Sequence, residues 1–423
     1  MIPTGTDSEN RTIGLYARIF LPFALGYFLS YLYRVVNAVI APDLSGELNL
    51  TATDMGLLTS VYFLAFATTQ LPLGLVLDRF GPRRTEAVLL LFAALGAIVF
   101  SQAESLTGLI VGRALIGFGV SACLMAAFKA FATWFEPGQL PMINGFQMTA
   151  GGVGALAATA PVEYALGFTD WRGIFLLLGG MTLLSAALVN WVVPHRPSDV
   201  APDADESLRD QVIGLKAIYG SLIFWRIAPW AMVSQAYFIG AQSLWAGPWL
   251  RDVAGLNREE SAATLFSISL AMTAGFFLLG VAAERVGRRG ISPIAVATTC
   301  MTISLVFQAG IIAEWTDMAG PLWSLQAFFS SAAIITYAGL SQAFPRHLAG
   351  RVNTAINLLV FVAIFAGQGA TGMIIDLWPT GADGSYHPSG YRAAFTSFLG
   401  LQIAAALWFA LATRIIQKKQ SIP

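Results

Sequence analysis

Long apolar runs alternate with short polar segments along the whole chain. About 20 apolar residues cross the hydrocarbon core of a bilayer as a helix. Twelve runs reach that length, which predicts an all-α integral membrane protein with twelve transmembrane helices. Their approximate cores are 15–40, 54–77, 86–103, 107–134, 140–163, 172–193, 221–249, 261–283, 291–313, 320–343, 352–376 and 393–415.

The longest polar interruption falls between the sixth and seventh runs, from Pro194 to about Lys216. Its proline, serine and acidic residues are typical of a linker. We therefore predict three parts: an N-terminal six-helix bundle at 1–196, a cytoplasmic linker at 197–220 and a C-terminal six-helix bundle at 221–423.

The two halves repeat one another. The loop Gly74–Arg84 follows the second run, and the loop Gly280–Arg289 follows the eighth with Gly, acid, Arg and Gly at the same spacing. The start of the sixth run, Trp171–Phe175, matches that of the twelfth, Tyr391–Phe395. Two independent matches predict duplicated, pseudo-symmetric bundles.

Basic residues orient the chain, because cytoplasmic loops carry the excess of Lys and Arg. With the N-terminus inside, 17 basic residues fall on the cytoplasmic side and four, Arg172, Arg251, Arg258 and Arg392, on the other. We therefore expect a multi-pass protein of the cytoplasmic (inner) membrane with both termini in the cytoplasm. The first run is too long for the apolar region of a cleavable signal peptide.

Composition agrees with a lipid environment. The chain is 56% hydrophobic and 11% charged, whereas soluble domains carry about 25% charged residues. A formal net charge of zero argues against a nucleic-acid partner. The sequence contains no recognisable nucleophile–base or metal constellation, so we expect neither an enzyme nor a cofactor or metal. We also expect a monomer.

The loop Gly74–Arg84 resembles the signature loop of the major facilitator superfamily, G-x-L-x-D-R-x-G-R-[RK], with Val76 and Pro82 as departures. Arg113, Gly117 and Gly119 are similar to that family's second motif. The resemblance covers nearly the whole chain, and it implies two bundles that rock about a central site. It also implies a gating role for the loop residues, with the alternative that the arginines only anchor the topology. These residues are Gly74, Asp78, Arg79, Gly81, Arg83, Arg84, Glu284 and Arg285.

The first two runs resemble the anion–cation symporter group of that superfamily, which imports organic anions. The stretch Tyr33–Pro42 and the segment Leu50–Gly74 carry this likeness. The chain departs from the group where acidic residues are usual, with Tyr33 before the arginine and Val120-Ser121-Ala122 in the fourth run. The resemblance implies uptake of a small organic anion, with H⁺ or Na⁺ as possible coupling ions and H⁺ preferred.

Charged residues inside predicted spans are costly and mark functional sites. Arg34, Arg113 and Lys129 lie inside spans, and no Asp or Glu is placed at mid-depth by the same reading. Buried positive charge without a compensating carboxylate predicts a site for an anion.

Arg34 is the leading candidate for substrate binding, because a guanidinium makes two-point contacts with a carboxylate. Tyr27, Tyr31, Arg34 and Asn37 succeed one another at spacings of four, three and three and are expected on the same helical face. The alternative for Arg34 is a structural role. For Lys129, a second contact to the anion and a side chain that reaches the membrane interface are equal alternatives. For Arg113 we expect a structural or gating role.

In the C-terminal half, the resemblance implies that the seventh and tenth spans line the cavity. Candidate wall residues there are Gln242, Gln326 and Tyr337, with an interfacial aromatic belt as the alternative for the tryptophans near span ends. The function expected is secondary active transport of a small carboxylate by alternating access. Efflux or exchange of an anionic or amphipathic metabolite, and a transporter-like membrane sensor, are the alternatives.

Overall fold

The computed structural model describes residues 5–136, 138–194, 208–345, 348–381 and 384–420, and within these ranges it is helical and contains no strand. Eight helices are long and apolar enough to cross a membrane, and one bent pair makes a ninth span. Helix Ala52–Ser101 holds two spans, and two further spans are interrupted helices. The described residues therefore supply the twelve spans predicted.

The spans of the N-terminal half, called the N bundle, are in order Gly5–Val35 with Asn37–Leu48, the two parts of Ala52–Ser101, Leu106–Gly119 with Cys123–Trp134, Leu140–Ala157 with Ala160–Leu166, and Trp171–Val192. The C bundle contains Leu222–Gly240 continued by Ala241–Trp245 and Ala246–Asp252, then Arg258–Gly287, Pro293–Ile312, Ala319–Ser330 continued to Gln342, Ala349–Ile375 and Pro388–Gln420. The predicted linker retains one described helix, Leu208–Tyr219, while 195–207 lie outside the described residues. The division at 196 and 221 stays a prediction.

The chain reverses direction at Gly81, between the second and third spans. Gly81 has φ 75° and ψ 162°, a conformation that glycine adopts at low cost. The Thr85 hydroxyl donates to the Val76 carbonyl at 3.4 Å although nine residues separate them. A straight helix would place those residues about 13.5 Å apart, so the turn at Gly81 brings the two spans side by side.

Several spans are broken near mid-depth. The first bends by 47° between Val35 and Asn37, the fourth breaks between Gly119 and Cys123, and the seventh contains a π-helical turn at Ala241–Trp245. Non-helical backbone inside a bilayer is tolerated where it is buried in protein or faces a cavity. The breaks therefore lie where the bundles enclose a polar space.

The bundles meet along three pairs of spans: first with seventh, second with eleventh, and fifth with eighth. We call the side of the molecule that carries Gly5 and Gln420 the inner face, and the opposite side the outer face. The largest apolar core is continuous between the two bundles, smaller cores lie within one bundle, and both exteriors expose large apolar side chains such as Trp191, Phe277 and Leu407. Such a surface suits lipid rather than water.

Candidate functional site

A cavity of about 670 Å³ lies between the two bundles. It extends from Arg34 near mid-depth to Asp78 and Arg351 near the inner face. Six of the predicted substrate contacts line it, and the structure thereby brings together residues from four different spans. They are Tyr27, Tyr31, Arg34, Lys129, Gln242 and Tyr337.

Arg34 is the buried cation of this cavity. Its guanidinium carbon lies 4.4 Å from the ring centre of Tyr31, 5.8 Å from that of Phe66 and 5.7 Å from that of Phe361. Aromatic faces attract a cation but do not neutralise it. Among the described residues, no carboxylate forms an ion pair with Arg34, and its Nε has no hydrogen-bond partner. The site therefore holds an uncompensated positive charge.

Tyr27 and Tyr31 form one wall beside Arg34. Their rings meet edge to face with centres 5.2 Å apart. Gly151 of the fifth span packs on both, because a Cβ there would lie 2.5 Å from Tyr27 and 2.8 Å from Tyr31. The fifth span thus fixes the tyrosine pair, and a larger residue at position 151 would collide with both rings.

Two predicted contacts lie outside the cavity. Asn37 donates from Nδ2 to the Thr59 hydroxyl at 2.9 Å and is fully buried. The helix break after Val35 removes the i, i+3 register that related Asn37 to Arg34. Gln326 donates to the Ser330 hydroxyl at 2.9 Å inside the tenth span and is likewise buried. The prediction that these two residues line the site is therefore wrong.

Other polar lining residues were not among the predicted contacts. The Tyr337 hydroxyl donates to Asn357 Oδ1 at 3.2 Å, and Asn357 Nδ2 donates to Gln70 Oε1 at 2.8 Å. This chain joins the C bundle to the second span across the cavity. Gln235 also lines the wall. Amide side chains at helical spacing give no sequence signal that separates cavity residues from those that only join helices.

Arg113 is fully buried behind the cavity. Its Nη1 donates at 2.8 Å to the carbonyl of Tyr33, just before the break in the first span, and its guanidinium carbon lies 5.1 Å from the Tyr62 ring centre. Arg113 thus stabilises the broken backbone beside Arg34, which favours a structural role over contact with substrate.

Lys129 lines the inner part of the cavity with its ammonium group paired to Asp78. This ion pair neutralises the charge of Lys129 in the arrangement described, and its role as a second anion contact stays a prediction. Arg83 of the same loop donates from Nε to the Asn190 carbonyl at 2.7 Å and thereby holds the end of the sixth span.

The repeated loop in the C bundle makes only a local contact. Arg288 pairs with Glu284 at 2.8 Å as an exposed i, i+4 pair. The described contacts of Asp78, Arg83 and Glu284 therefore each stay within one bundle at the inner face.

The ion pair between Asp78 and Lys129 gives a test that needs no ligand. We expect Asp78→Asn and Lys129→Gln each to lower the thermal unfolding midpoint in detergent by about 2 °C, since half-exposed pairs contribute about 1 kcal/mol or less. The double variant should lose no more than either single variant. Glu314→Gln, which breaks an outer-face pair with Arg392, is the matched control. Additive losses at 78 and 129 would show that the two residues do not interact.

The outer face is closed by charges that join the bundles. Arg258 of the eighth span donates from Nη1 and Nη2 to the two oxygens of Asp43 at 2.8 and 2.6 Å, and from Nε to Glu163 at 2.6 Å. Asp376 of the eleventh span accepts from the backbone N–H groups of Ala52 and Thr53 at 3.1 and 2.7 Å. A carboxylate at the start of a helix is favourable because the N–H groups there are free.

Backbone contacts complete this closure. A Cβ on Gly247 of the seventh span would lie 2.2 Å from the carbonyl oxygen of Ala38 in the first span. A Cβ on Gly372 of the eleventh span would lie 2.2 Å from the carbonyl oxygen of Ala52. The two bundles therefore touch through bare backbone at the outer end. The arrangement is sealed outside and hollow toward the inner face.

One buried carboxyl group was missed by the sequence analysis, which considered only acids at mid-depth. Glu86 has no exposed surface and packs against the first and fourth spans. The apolar run of the third span begins at residue 86, so a window on the sequence places Glu86 at the edge. Only the packing of neighbouring spans shows that it is enclosed.

A twelve-span bundle with a central cavity, closed by charges at one end, defines a membrane transporter rather than an enzyme. Residues 23–368 match the Major Facilitator Superfamily, and the chain belongs to that family. Its relatives include the Hexuronate transporter of Bacillus subtilis, 26% identical over 89% of this chain and 93% of the relative. The Probable L-galactonate transporter of Escherichia coli is 24% identical over 82% of this chain and 80% of the relative.

Among solved structures, a bacterial homologue of the human lysosomal transporter Spinster, in an inward-facing and unoccupied conformation, superposes with a TM-score of 0.79. It is 19% identical and covers 96% of this chain and 98% of its own. At that identity the likeness establishes the shared fold.

Proposed function

We propose that this protein takes up a small organic carboxylate across the cytoplasmic membrane by alternating access, with protons as the coupling ion. The observation that carries the proposal is Arg34, a buried guanidinium at the cavity that has no carboxylate partner among the described residues. A carboxylate that binds there supplies the missing negative charge and two strong hydrogen-bond acceptors. The hexuronate and L-galactonate named for the two relatives are anions of this kind.

The rest of the cavity suits a polyhydroxylated acid. Its volume of about 670 Å³ falls in the range typical of small-molecule sites. Gln242, Gln235 and Asn357 offer amide donors and acceptors for hydroxyl groups, while Phe66 and Phe361 present aromatic faces beside Arg34. We therefore favour a sugar acid over a compact inorganic anion.

The transport cycle follows from two closures that exclude one another. In the arrangement described, Arg258 and Asp376 hold the outer ends together while the charged loop residues of the inner face stay within their own bundles. In the opposite state the outer contacts break, and the Gly74–Arg84 and Gly280–Arg289 loops join the bundles. Both termini then lie in the cytoplasm, as the charge bias of the loops predicts, and one chain suffices for the cycle.

The test is a ligand panel on the purified protein. Thermal stability in detergent should rise with D-galacturonate, D-glucuronate or L-galactonate, and should not change with the matched neutral sugars galactose and glucose. Uptake into proteoliposomes should follow an imposed proton gradient and be indifferent to a sodium gradient. Binding only of neutral or cationic compounds would refute the anion assignment, and accumulation driven by sodium alone would refute proton coupling.

A further inference from the structure

Glu86 lies about one turn inside the third span, with both carboxyl oxygens buried. The carboxyl group lies directly over Gly26 of the first span, because a Cβ on Gly26 would be 2.4 Å from Glu86 Oε1 and 3.6 Å from Cys123 Sγ. Gly26 and Cys123 adjoin Tyr27 and Leu124, which line the cavity. Glu86 is therefore one layer of side chains behind the cavity wall.

No cation compensates this group. Among the described residues, Glu86 forms no ion pair, and its oxygens have no nitrogen or oxygen hydrogen-bond partner. The first span presents only the backbone of Gly26, and the fourth presents the Cys123 thiol. Arg83, three residues earlier on the same helix, is turned to the Asn190 carbonyl of the sixth span. A carboxylate buried in this way is very costly, so Glu86 is held as the neutral acid.

We propose that Glu86 is the group that binds and releases the coupling proton. This inference rests on the proposed proton-coupled uptake and gives that uptake a proton-binding site. The sequence has no acid directly before Arg34 or at Val120-Ser121-Ala122 in the fourth span, so neither place supplies one. When the bundles rock, the cavity opens to one side of the membrane and then to the other, and the proton passes between the cavity and Glu86 through the thin wall at Gly26 and Cys123. Glu86 then exchanges a single proton between its acid and carboxylate forms.

Arg34 provides the link between proton and substrate. It lies eight residues beyond Gly26 on the first span, about 12 Å along the helix axis. The positive charge of Arg34 on the same side of the bundle disfavours the protonated form of Glu86. A bound anion cancels that charge and thereby favours proton binding, and by reciprocity the proton strengthens anion binding.

The first experiment needs no substrate. Infrared difference spectra of the purified protein, recorded while pH is raised from neutral, should show loss of a protonated-carboxyl band. The band should be absent in Glu86→Gln and kept in Glu86→Asp, and it should be unchanged in Glu104→Gln, which removes an exposed carboxyl near the end of the same helix. In Arg34→Ala the midpoint should move to higher pH, because the positive charge that disfavours the protonated acid is removed. A band that persists unchanged in Glu86→Gln would overturn the assignment.

The second experiment measures coupling. In weakly buffered solution, addition of D-galacturonate to the wild type should remove protons from the medium, and in Glu86→Gln it should not, although the sugar acid still binds. In proteoliposomes, Glu86→Gln should lose at least about tenfold of uptake driven by a proton gradient and keep exchange of internal for external substrate. Gradient-driven accumulation at the wild-type level in this variant would overturn the proposal. If no carboxylate binds the wild type, the proposed function fails, while the infrared titration still decides the proton site.

Discussion

Arg34→Ala is expected to weaken carboxylate binding at least about a hundredfold. Truncation of one partner of a desolvated, hydrogen-bonded charge pair costs about 2–5 kcal/mol, and about 3 kcal/mol corresponds to roughly 150-fold in the dissociation constant. Arg34→Lys keeps the charge but loses the planar two-point fork, so we expect an intermediate loss of about tenfold. Isothermal titration with D-galacturonate measures both.

Thermal stability separates a binding role for Arg34 from a structural one. Because no carboxylate among the described residues pairs with this buried cation, its removal relieves a desolvation cost. The unliganded Arg34→Ala protein should therefore unfold at the wild-type temperature or above it. Arg392→Ala, which removes a half-exposed arginine at the outer face, should leave affinity within about twofold. A fall in stability of Arg34→Ala together with normal binding would assign Arg34 to the scaffold.

Gly247→Ala is expected to abolish transport while it leaves the binding residues intact. The added Cβ would lie 2.2 Å from the carbonyl oxygen of Ala38, far inside van der Waals contact, and the opposing atoms are backbone that has no rotamer to change. The outer ends of the bundles then cannot close. We expect uptake to fall to background, with affinity for the sugar acid within about threefold of the wild type.

Distances between spin labels measure this effect directly. Labels at Gln102 of the N bundle and Asp317 of the C bundle are both exposed near the outer face. In Gly247→Ala the distance distribution should shift to longer values than in the wild type. Gly180→Ala is the matched control, because a Cβ at Gly180 meets nothing within 4 Å. Unchanged distances and uptake in Gly247→Ala would show that this contact does not seal the transporter.

The helices were predictable because lipid imposes a rule that acts on the sequence alone. Each span must hide its backbone polar groups in helical hydrogen bonds and expose apolar side chains. The twelve runs follow from this rule. The repeated loops follow from duplication of the six-helix unit, which places matching residues at a constant separation in the sequence. Arg34 stood out for the same reason, since a charge inside an apolar run is too costly to persist without a role.

Side-chain register near broken helices was not predictable. Asn37 shares a face with Arg34 only in a continuous helix, and the 47° bend between Val35 and Asn37 turns it toward Thr59 instead. The sequence gives no sign that Lys129 has an acidic neighbour, whereas the fold places Asp78 beside its ammonium group. Gln326 is buried within the C bundle and donates to Ser330 of its own span.

The sequence by itself determined that this protein is a duplicated, twelve-span membrane transporter with an excess of buried positive charge. This was possible because the stability of each segment in a bilayer depends on its own length, polarity and charge. Only the tertiary structure decided which charges remain uncompensated. Compensation depends on partners far apart in the chain: Asp43 and Glu163 with Arg258, Asp78 with Lys129, and none with Arg34 among the described residues. The same packing turned Glu86 from a residue at a span's edge into an enclosed acid, since burial is a property of the neighbours and not of the residue.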